Sequence, residues 1–285
     1  FAMVFEGVDL NLDRTVAIKV LHGALTGSSE SRQRDVIDRF EREARLAASV
    51  EHPSIVNIYD VGEIDELGEP FIVMEYLKGR SFADQLDEFG AMEAKKIIPL
   101  YKDLLLGMGF AHEAGIVHKD LKPENIFFRH PDTIRESLCV VDFGIAHIGR
   151  SNSQRVTRDG EFFGTPSYMA PEYISDQAVS PALDVYQLGL IFVESLTGQV
   201  LINHPEPVAT LLAHLNQNYP IPECLLESPL GPIIKRSIAP DPATRYRDAM
   251  EFAEALATID PSTIPDTETI RAELAATVGI EDGST

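Results

Sequence analysis

The chain has two cysteines, Cys139 and Cys224, no tryptophan and no closely spaced cysteine pair. This argues against a disulfide framework and a structural zinc site, and reducing surroundings fit best. Positive charge is also scarce: 24 Lys and Arg stand against 45 Asp and Glu, a formal net charge of -21. Such a field opposes attachment to nucleic acid and to anionic lipid, so neither is expected as a partner, while basic protein segments are compatible with it. No long uninterrupted apolar run is present. The most apolar stretch, Val185 to Ile202, is broken by Gly189, Glu194, Thr197 and Gly198 and reads as a buried helix, so no membrane segment is expected in this chain. No basic segment followed by an apolar one opens the sequence, and no fixed-period repeat or heptad array occurs, which sets aside a signal peptide, a solenoid and a coiled coil. What is present is 285 residues with 44% apolar content, enough for one large core or two joined lobes.

Thr15 to Val20 alternates as a strand that puts Ala17 and Lys19 on one face, and Phe71 to Tyr76 offers a second strand. Between them Ile37, Phe40, Ala44, Ala47 and Ala48 form an apolar helical stripe with Glu43 at its edge. After the turn signals Gly68-Glu69-Pro70 and Lys78-Gly79, stretches 93–114, 184–197, 206–218 and 245–258 have helical composition, and 138–142 that of a short strand. A strand-rich lobe over 1–77 is therefore expected before a larger, mainly helical lobe over 78–260. Residues 261–285 read as an acidic tail or linker, in which Thr269 to Thr277 offers a short helix.

The residues that carry chemistry concentrate in His118-Lys119-Asp120-Leu121-Lys122-Pro123-Glu124-Asn125, followed by Asp142-Phe143-Gly144 and Ala170-Pro171-Glu172. Singly, each has a bland meaning: an isolated Asp-Phe-Gly is usually a turn, and a strand lysine is often a surface residue. Together, in this order and with Lys19 and Glu43 upstream, they resemble the eukaryotic-type (Hanks-type) protein kinases over residues 1–258, especially bacterial serine/threonine kinases. The resemblance implies an α+β, two-lobed kinase fold with a small antiparallel-sheet lobe, one regulatory helix and a larger helical lobe. It also implies ATP-dependent transfer of the γ-phosphate to serine or threonine hydroxyls of protein substrates in signal transduction. Lys122-Pro123-Glu124 favours these over tyrosine. A pseudokinase serving as a regulatory binding module is the alternative from another functional class, and a small-molecule kinase is a weaker one.

Phosphoryl transfer needs negative oxygens neutralised, metal ions held and an alcohol aligned for attack. By resemblance, Lys19 contacts the nucleotide phosphates with Glu43 as its helix partner, Asp120 orients the acceptor hydroxyl and takes its proton, and Lys122 lies near the transferred phosphate. Asn125 and Asp142 match the ligands of Mg2+, with Mn2+ as the alternative ion. Val4 and Ala17 correspond to the roof over adenine, Phe127 to its floor and Met74 to the gatekeeper position before the hinge of Glu75 to Leu77. Thr157 is the leading autophosphorylation candidate, with self-association as the route to it, and Thr165 matches a hydroxyl that couples substrate docking to Asp120 and Lys122. Lys119 departs from the more frequent arginine and lacks its planar fork, which weakens the expectation of phosphorylation-dependent switching. Asp184 resembles a restraint on the catalytic segment, Glu172 and Arg245 a closing ion pair, and Ala47, Ile58, His118 and Phe143 an apolar spine. Phe1-Ala2-Met3-Val4 matches the end of a glycine-rich phosphate loop, so the first lobe is expected to be truncated at its N-terminus. A cytoplasmic location follows, either free or as the intracellular domain of a longer membrane-anchored protein.

Overall fold

The alternating segment around Lys19 becomes a central strand of the first sheet. In the computed structural model, which describes residues 2–21, 30–64, 68–143, 166–216 and 219–278, four antiparallel strands form this sheet. They are β1 (Ala2–Asp9), β2 (Arg14–Leu21), β3 (Ile58–Ile64) and β4 (Glu69–Glu75), in the order β1-β2-β4-β3. Register sets Lys19 opposite Val4 on one side and Ile72 on the other, and Ala17 opposite Glu6 and Met74. The turn from β1 to β2 is closed by Asp9, whose carboxylate accepts the Asn11 and Leu12 amides and pairs with Arg14.

Helix α1 (Glu30–Ala48) packs beside this sheet because Phe40 and Ala44 fall on one face. They join Leu21, Val56, Ile72, Met74 and Cys139 in the core of the small lobe, while Ala47 belongs to the larger core below. Ala48, expected on the apolar stripe, is exposed at the last residue of the helix.

After the link 76–78 the chain makes β5 (Gly79–Ser81), α2 (Phe82–Phe89) and α3 (Ala94–Glu113), then β6 (Ile126–Arg129) and β7 (Ser137–Val140). Strands β5, β6 and β7 form a second sheet in that order. A side chain at position 79 has no room, since a Cβ there would sit 1.9 Å from the Phe128 carbonyl oxygen. Ser81 and Asp84 form a reciprocal capping box that starts α2.

The remaining helices are α4 (Pro171–Ser175), α5 (Pro181–Thr197), α6 (Pro207–Asn216), α7 (Glu223–Glu227), α8 (Gly231–Ser237), α9 (Ala249–Leu256) and α10 (Thr267–Val278). Helix α5 is the axis of the large lobe and is buried from Ala182 to Thr197. It is hydrophobic all round because protein surrounds it. Among the described residues no helix is long and apolar enough to cross a membrane.

The acidic closing stretch is not a peripheral tail up to residue 278. Ile264, Ile270 and Leu274 are buried, Glu273 accepts the Cys224 amide at 2.8 Å, and Thr267 donates to Glu93 at 2.7 Å. The charges that suggested a tail lie on the outer face of α10, and three apolar positions suffice to dock the inner one. The result is an α+β, two-lobed architecture with a small antiparallel sheet above a helical body.

Candidate active site

The segment from His118 to Asn125 is irregular, and its shape is imposed from the core below. Asp184, fully buried in the first turn of α5, accepts the amides of His118 at 2.7 Å and Lys119 at 2.8 Å. Lys119 has a φ of 73°, a left-handed conformation unfavourable for a side chain with Cβ, so these two bonds hold a strained turn in place. Gln187, one helical turn on, accepts the Leu121 amide at 3.0 Å and donates to the Tyr168 carbonyl at 3.2 Å. His112, at the end of α3, completes the bracket. Its Nδ1 accepts the Ala249 amide, so Nε2 carries the proton and donates to Asp184 at 3.0 Å.

His118 ties the two halves of the site together. Its Nε2 donates to the Val141 carbonyl at 2.8 Å, and its Nδ1 accepts the Asp120 amide at 3.3 Å. The imidazole is buried and lies 5.1 Å, centroid to centroid, from the Phe143 ring. It therefore links Asp120 to the residue preceding Asp142 and has no path to act as a base. Ala47 and Phe143 are buried in the large-lobe core and Ile58 packs against it, so the residues expected to form the apolar spine share one cluster.

Asn125 Nδ2 donates to the Asp120 carbonyl at 2.8 Å, and the Val141 amide donates to the Asn125 carbonyl at 2.9 Å. Lys122 Nζ lies 3.6 Å from Asp120 Oδ2, and Lys19 Nζ lies 2.8 Å from Asp142 Oδ1. Asp142 has a φ of 62°. Lys19, Asp142, Asn125, Asp120 and Lys122 are thus joined by direct contacts, with one short backbone step between Asp142 and Asn125. Among the described residues no cluster of three His, Cys, Asp or Glu side chains forms a self-sufficient metal cage. One carboxylate and one amide instead suit a hard cation that takes its other ligands from water and phosphate.

One expected partnership is absent. Glu43 pairs with Lys119 at 3.6 Å, and Lys19 pairs with Asp142, not with Glu43. The reason lies in the stance of α1: a cavity of about 350 Å3, lined in part by Glu43, Leu46, Lys119, Phe143 and Val179, separates the helix from the catalytic segment. At that distance the nearest cation to Glu43 is Lys119.

On the nucleotide side, Met74 is buried and Ala17 and Leu77 pack partly against the same small-lobe core. Val4 is exposed on β1. Phe127 and Arg129 share the half-buried face of β6. Arg129 Nη2 reaches Glu75 Oε2 at 2.9 Å, which sets that face beneath the hinge. Asn57 donates to the same oxygen at 2.8 Å, so the Glu75 side chain is committed to structure. Thr157, Thr165 and Gly144 lie outside the described residues.

Glu172 and Arg245 form the expected pair, bidentate at 2.7 and 2.8 Å. Residues missed from sequence are the polar groups inside apolar helices: His112, Gln187, Glu194 and His214. Glu194, which had counted only as an interruption, accepts the Tyr168 hydroxyl at 2.6 Å, and burial pushes its carboxyl up to about 7. Burial pushes the Tyr168 hydroxyl upward as well, with the neighbouring Glu194 charge adding to it, and lowers His214 to about 4. The available signal was the position itself, because a polar residue inside an all-round apolar helix needs a buried partner.

The fold and this constellation define a protein kinase domain, and the protein kinase domain model matches residues 1–271. The chain belongs to that family. It is similar to the serine/threonine-protein kinase PknB of Mycobacterium tuberculosis, 33% identical over 264 residues that cover 90% of this chain and 41% of the relative. A probable serine/threonine-protein kinase of Clostridium acetobutylicum is 34% identical over 271 residues, covering 94% of this chain and 39% of its own length. The chain therefore spans about two-fifths of the length of these curated relatives. Among solved structures, the kinase domain of Mycobacterium tuberculosis PknI superposes with a TM-score of 0.66 at 25% identity, covering 90% of this chain and 89% of that one.

Proposed function

We propose that this chain is the catalytic domain of a serine/threonine protein kinase, transferring the γ-phosphate of ATP to hydroxyls of protein substrates. The observation that carries the reading is the His118 bridge, with Asp120 on one nitrogen and the carbonyl before Asp142 on the other. It brings an acid–base carboxylate, a buried lysine and an Asp/Asn pair to one cleft, which is the inventory that phosphoryl transfer requires.

In this reading Asp120 receives the acceptor hydroxyl in a hydrogen bond and takes its proton, and Lys122 offsets charge on the phosphoryl oxygens. Lys19 binds nucleotide phosphate. For Glu43 to become its helix partner, Glu43 leaves Lys119 and Lys19 leaves Asp142, an exchange of ion pairs as α1 closes on the cleft. Asp142 and the amide oxygen of Asn125 would hold Mg2+, or Mn2+, which when bound neutralises charge on the nucleotide phosphates. Ala17 and Val4 cover adenine, Phe127 supports it, and the backbone of Glu75 and Leu77 beside Met74 offers the hinge bonds. The lobes divide near residue 77. Phosphorylation of Thr157 between two copies of the chain, and docking through Thr165, belong to the same proposal, as does an intracellular location.

The test is radiolabelled ATP with Mg2+ and a panel of basic protein substrates. Labelled phosphoserine or phosphothreonine is expected, and Asp120→Asn should slow transfer by about 10²- to 10⁴-fold. A wild-type chain that labels no substrate, or an Asp120→Asn chain as active as wild type, would refute the reading.

A further inference from the structure

Besides the catalytic segment, one polar chain crosses the large lobe. His214 on α6 is fully buried. Its Nε2 stands 2.8 Å from the carbonyl oxygen of Pro166, and its Nδ1 stands 2.7 Å from the Tyr186 hydroxyl, which lies 2.9 Å from the Tyr219 hydroxyl. A carbonyl can only accept, so the proton of His214 sits on Nε2. The Tyr186 hydroxyl then donates to Nδ1 and accepts from Tyr219. Every proton in the chain is thereby assigned, with one orientation of the imidazole.

The far end of this chain is the single turn Pro166–Tyr168. Pro166 has no amide hydrogen, and its carbonyl otherwise receives only the Met169 amide, at 3.2 Å. The 2.8 Å bond from His214 is the shorter of the two. On its other side the same turn is held by Gln187, which donates to the Tyr168 carbonyl and also accepts the amide of Leu121, next to Asp120. The turn therefore lies between two clamps: Gln187 refers it to the catalytic carboxylate, and His214 refers it to α6. Tyr186 also lies under the guanidinium of Arg245, 4.6 Å from its ring centre, so the clamp continues into the ion pair that anchors Glu172 in α4.

We propose that His214 is a positioning residue for the polypeptide acceptor. By holding the Pro166 carbonyl, it sets the height of the 166–168 turn against which the segment carrying the acceptor hydroxyl must lie to reach Asp120. The proposal rests on the kinase reading above, and its ligand is a protein segment, not the nucleotide. Loss of the bond leaves the turn with its own longer bond and a half-satisfied carbonyl, and the damage falls on acceptor binding.

The experiment uses His214→Ala and His214→Gln in the full chain, the glutamine keeping an N–H near the position of Nε2. Acceptor and ATP are varied separately, and amide hydrogen exchange is followed over residues 166–170. For His214→Ala we expect faster exchange at Met169 and a fall in kcat/KM for the acceptor of about 10-fold, the usual scale for one buried hydrogen bond, with KM for ATP within about 2-fold of wild type. His214→Gln should recover most of the loss. Unchanged exchange at Met169 overturns the proposal, as does an equal rise in both KM values, which marks a general structural role. If His214→Ala fails to fold, the same readings on His214→Gln decide: smaller shifts in the same direction, confined to the acceptor, support the proposal, and none, or equal ones for ATP, overturns it. A wild-type chain without any transfer activity sinks the kinase reading first, and the exchange measurement separates that failure from absence of the tether.

Discussion

Replacing Glu172 with alanine strands a buried guanidinium, and the structure sets the cost. Arg245 is 2% exposed. All five of its N–H groups are used: Nε on the Ala239 carbonyl, Nη1 on Glu172 and the Ala182 carbonyl, Nη2 on Glu172 and the Pro240 carbonyl. Glu172 supplies the only negative charge among these acceptors. Without it a cation stays in a low-dielectric interior with three carbonyl dipoles, a situation that costs about 3–5 kcal/mol when one partner of a buried pair is removed. At about 2 °C per kcal/mol for a chain of this size, Tm should fall by about 6–10 °C. Arg245→Met should cost a similar amount, because it strands the carboxylate and three carbonyls. The double variant Glu172→Ala/Arg245→Met should lose less than the sum of the two, with a coupling of about 2–3 kcal/mol, since no charge is left uncompensated. Urea titration followed by far-UV circular dichroism suits a chain without tryptophan. Additivity of the two substitutions within about 0.5 kcal/mol, or a loss below about 1 kcal/mol for Glu172→Ala, would refute the argument.

Glu194 should make stability depend on pH in the direction opposite to most carboxylates. Burial holds its carboxyl up at about 7 against an ordinary 4.5, so the folded chain keeps a proton that the unfolded chain has released. The stabilisation is complete below the ordinary value and gone once pH passes the folded one, a penalty of about 3 kcal/mol by pH 8. Glu194→Gln should therefore raise Tm at pH 8 and leave it nearly unchanged near pH 4.5; an equal shift at both would contradict this. Gly231→Ala should destabilise by about 1–3 kcal/mol in the same urea assay, because its Cβ would lie 2.0 Å from the Leu226 carbonyl oxygen and force α7 away from α8. Wild-type stability in that variant would mean the junction is looser than the coordinates require.

The order of motifs from Lys19 to Arg245 was legible because each marks a chemistry that few residue types can supply, and the fold brings them together by contacts that the resemblance had implied. Helices α3, α5, α6 and α9 were legible from composition, and α5 as buried from the break of its apolar run at Glu194. The partner of Glu43 was not. A helix stripe records which face is apolar but not how far the helix stands from its neighbour, and a few ångströms at α1 decide between Lys19 and Lys119. Nor was the docking of α10, whose three buried apolar residues are outnumbered along the chain by charges facing outward.

By itself the sequence determined the family, the two-lobed plan and the residue types available for phosphoryl transfer, since these follow from local pattern and irreplaceable side chains. Only the tertiary structure decided which polar groups meet: Asp184 under His118 and Lys119, Gln187 between Leu121 and Tyr168, His214 against Pro166. Each of those bonds joins segments at least 19 residues apart. Hydrogen bonding is short-ranged and directional, so such a pairing exists only once packing has brought the two segments within about 3 Å and turned donor toward acceptor.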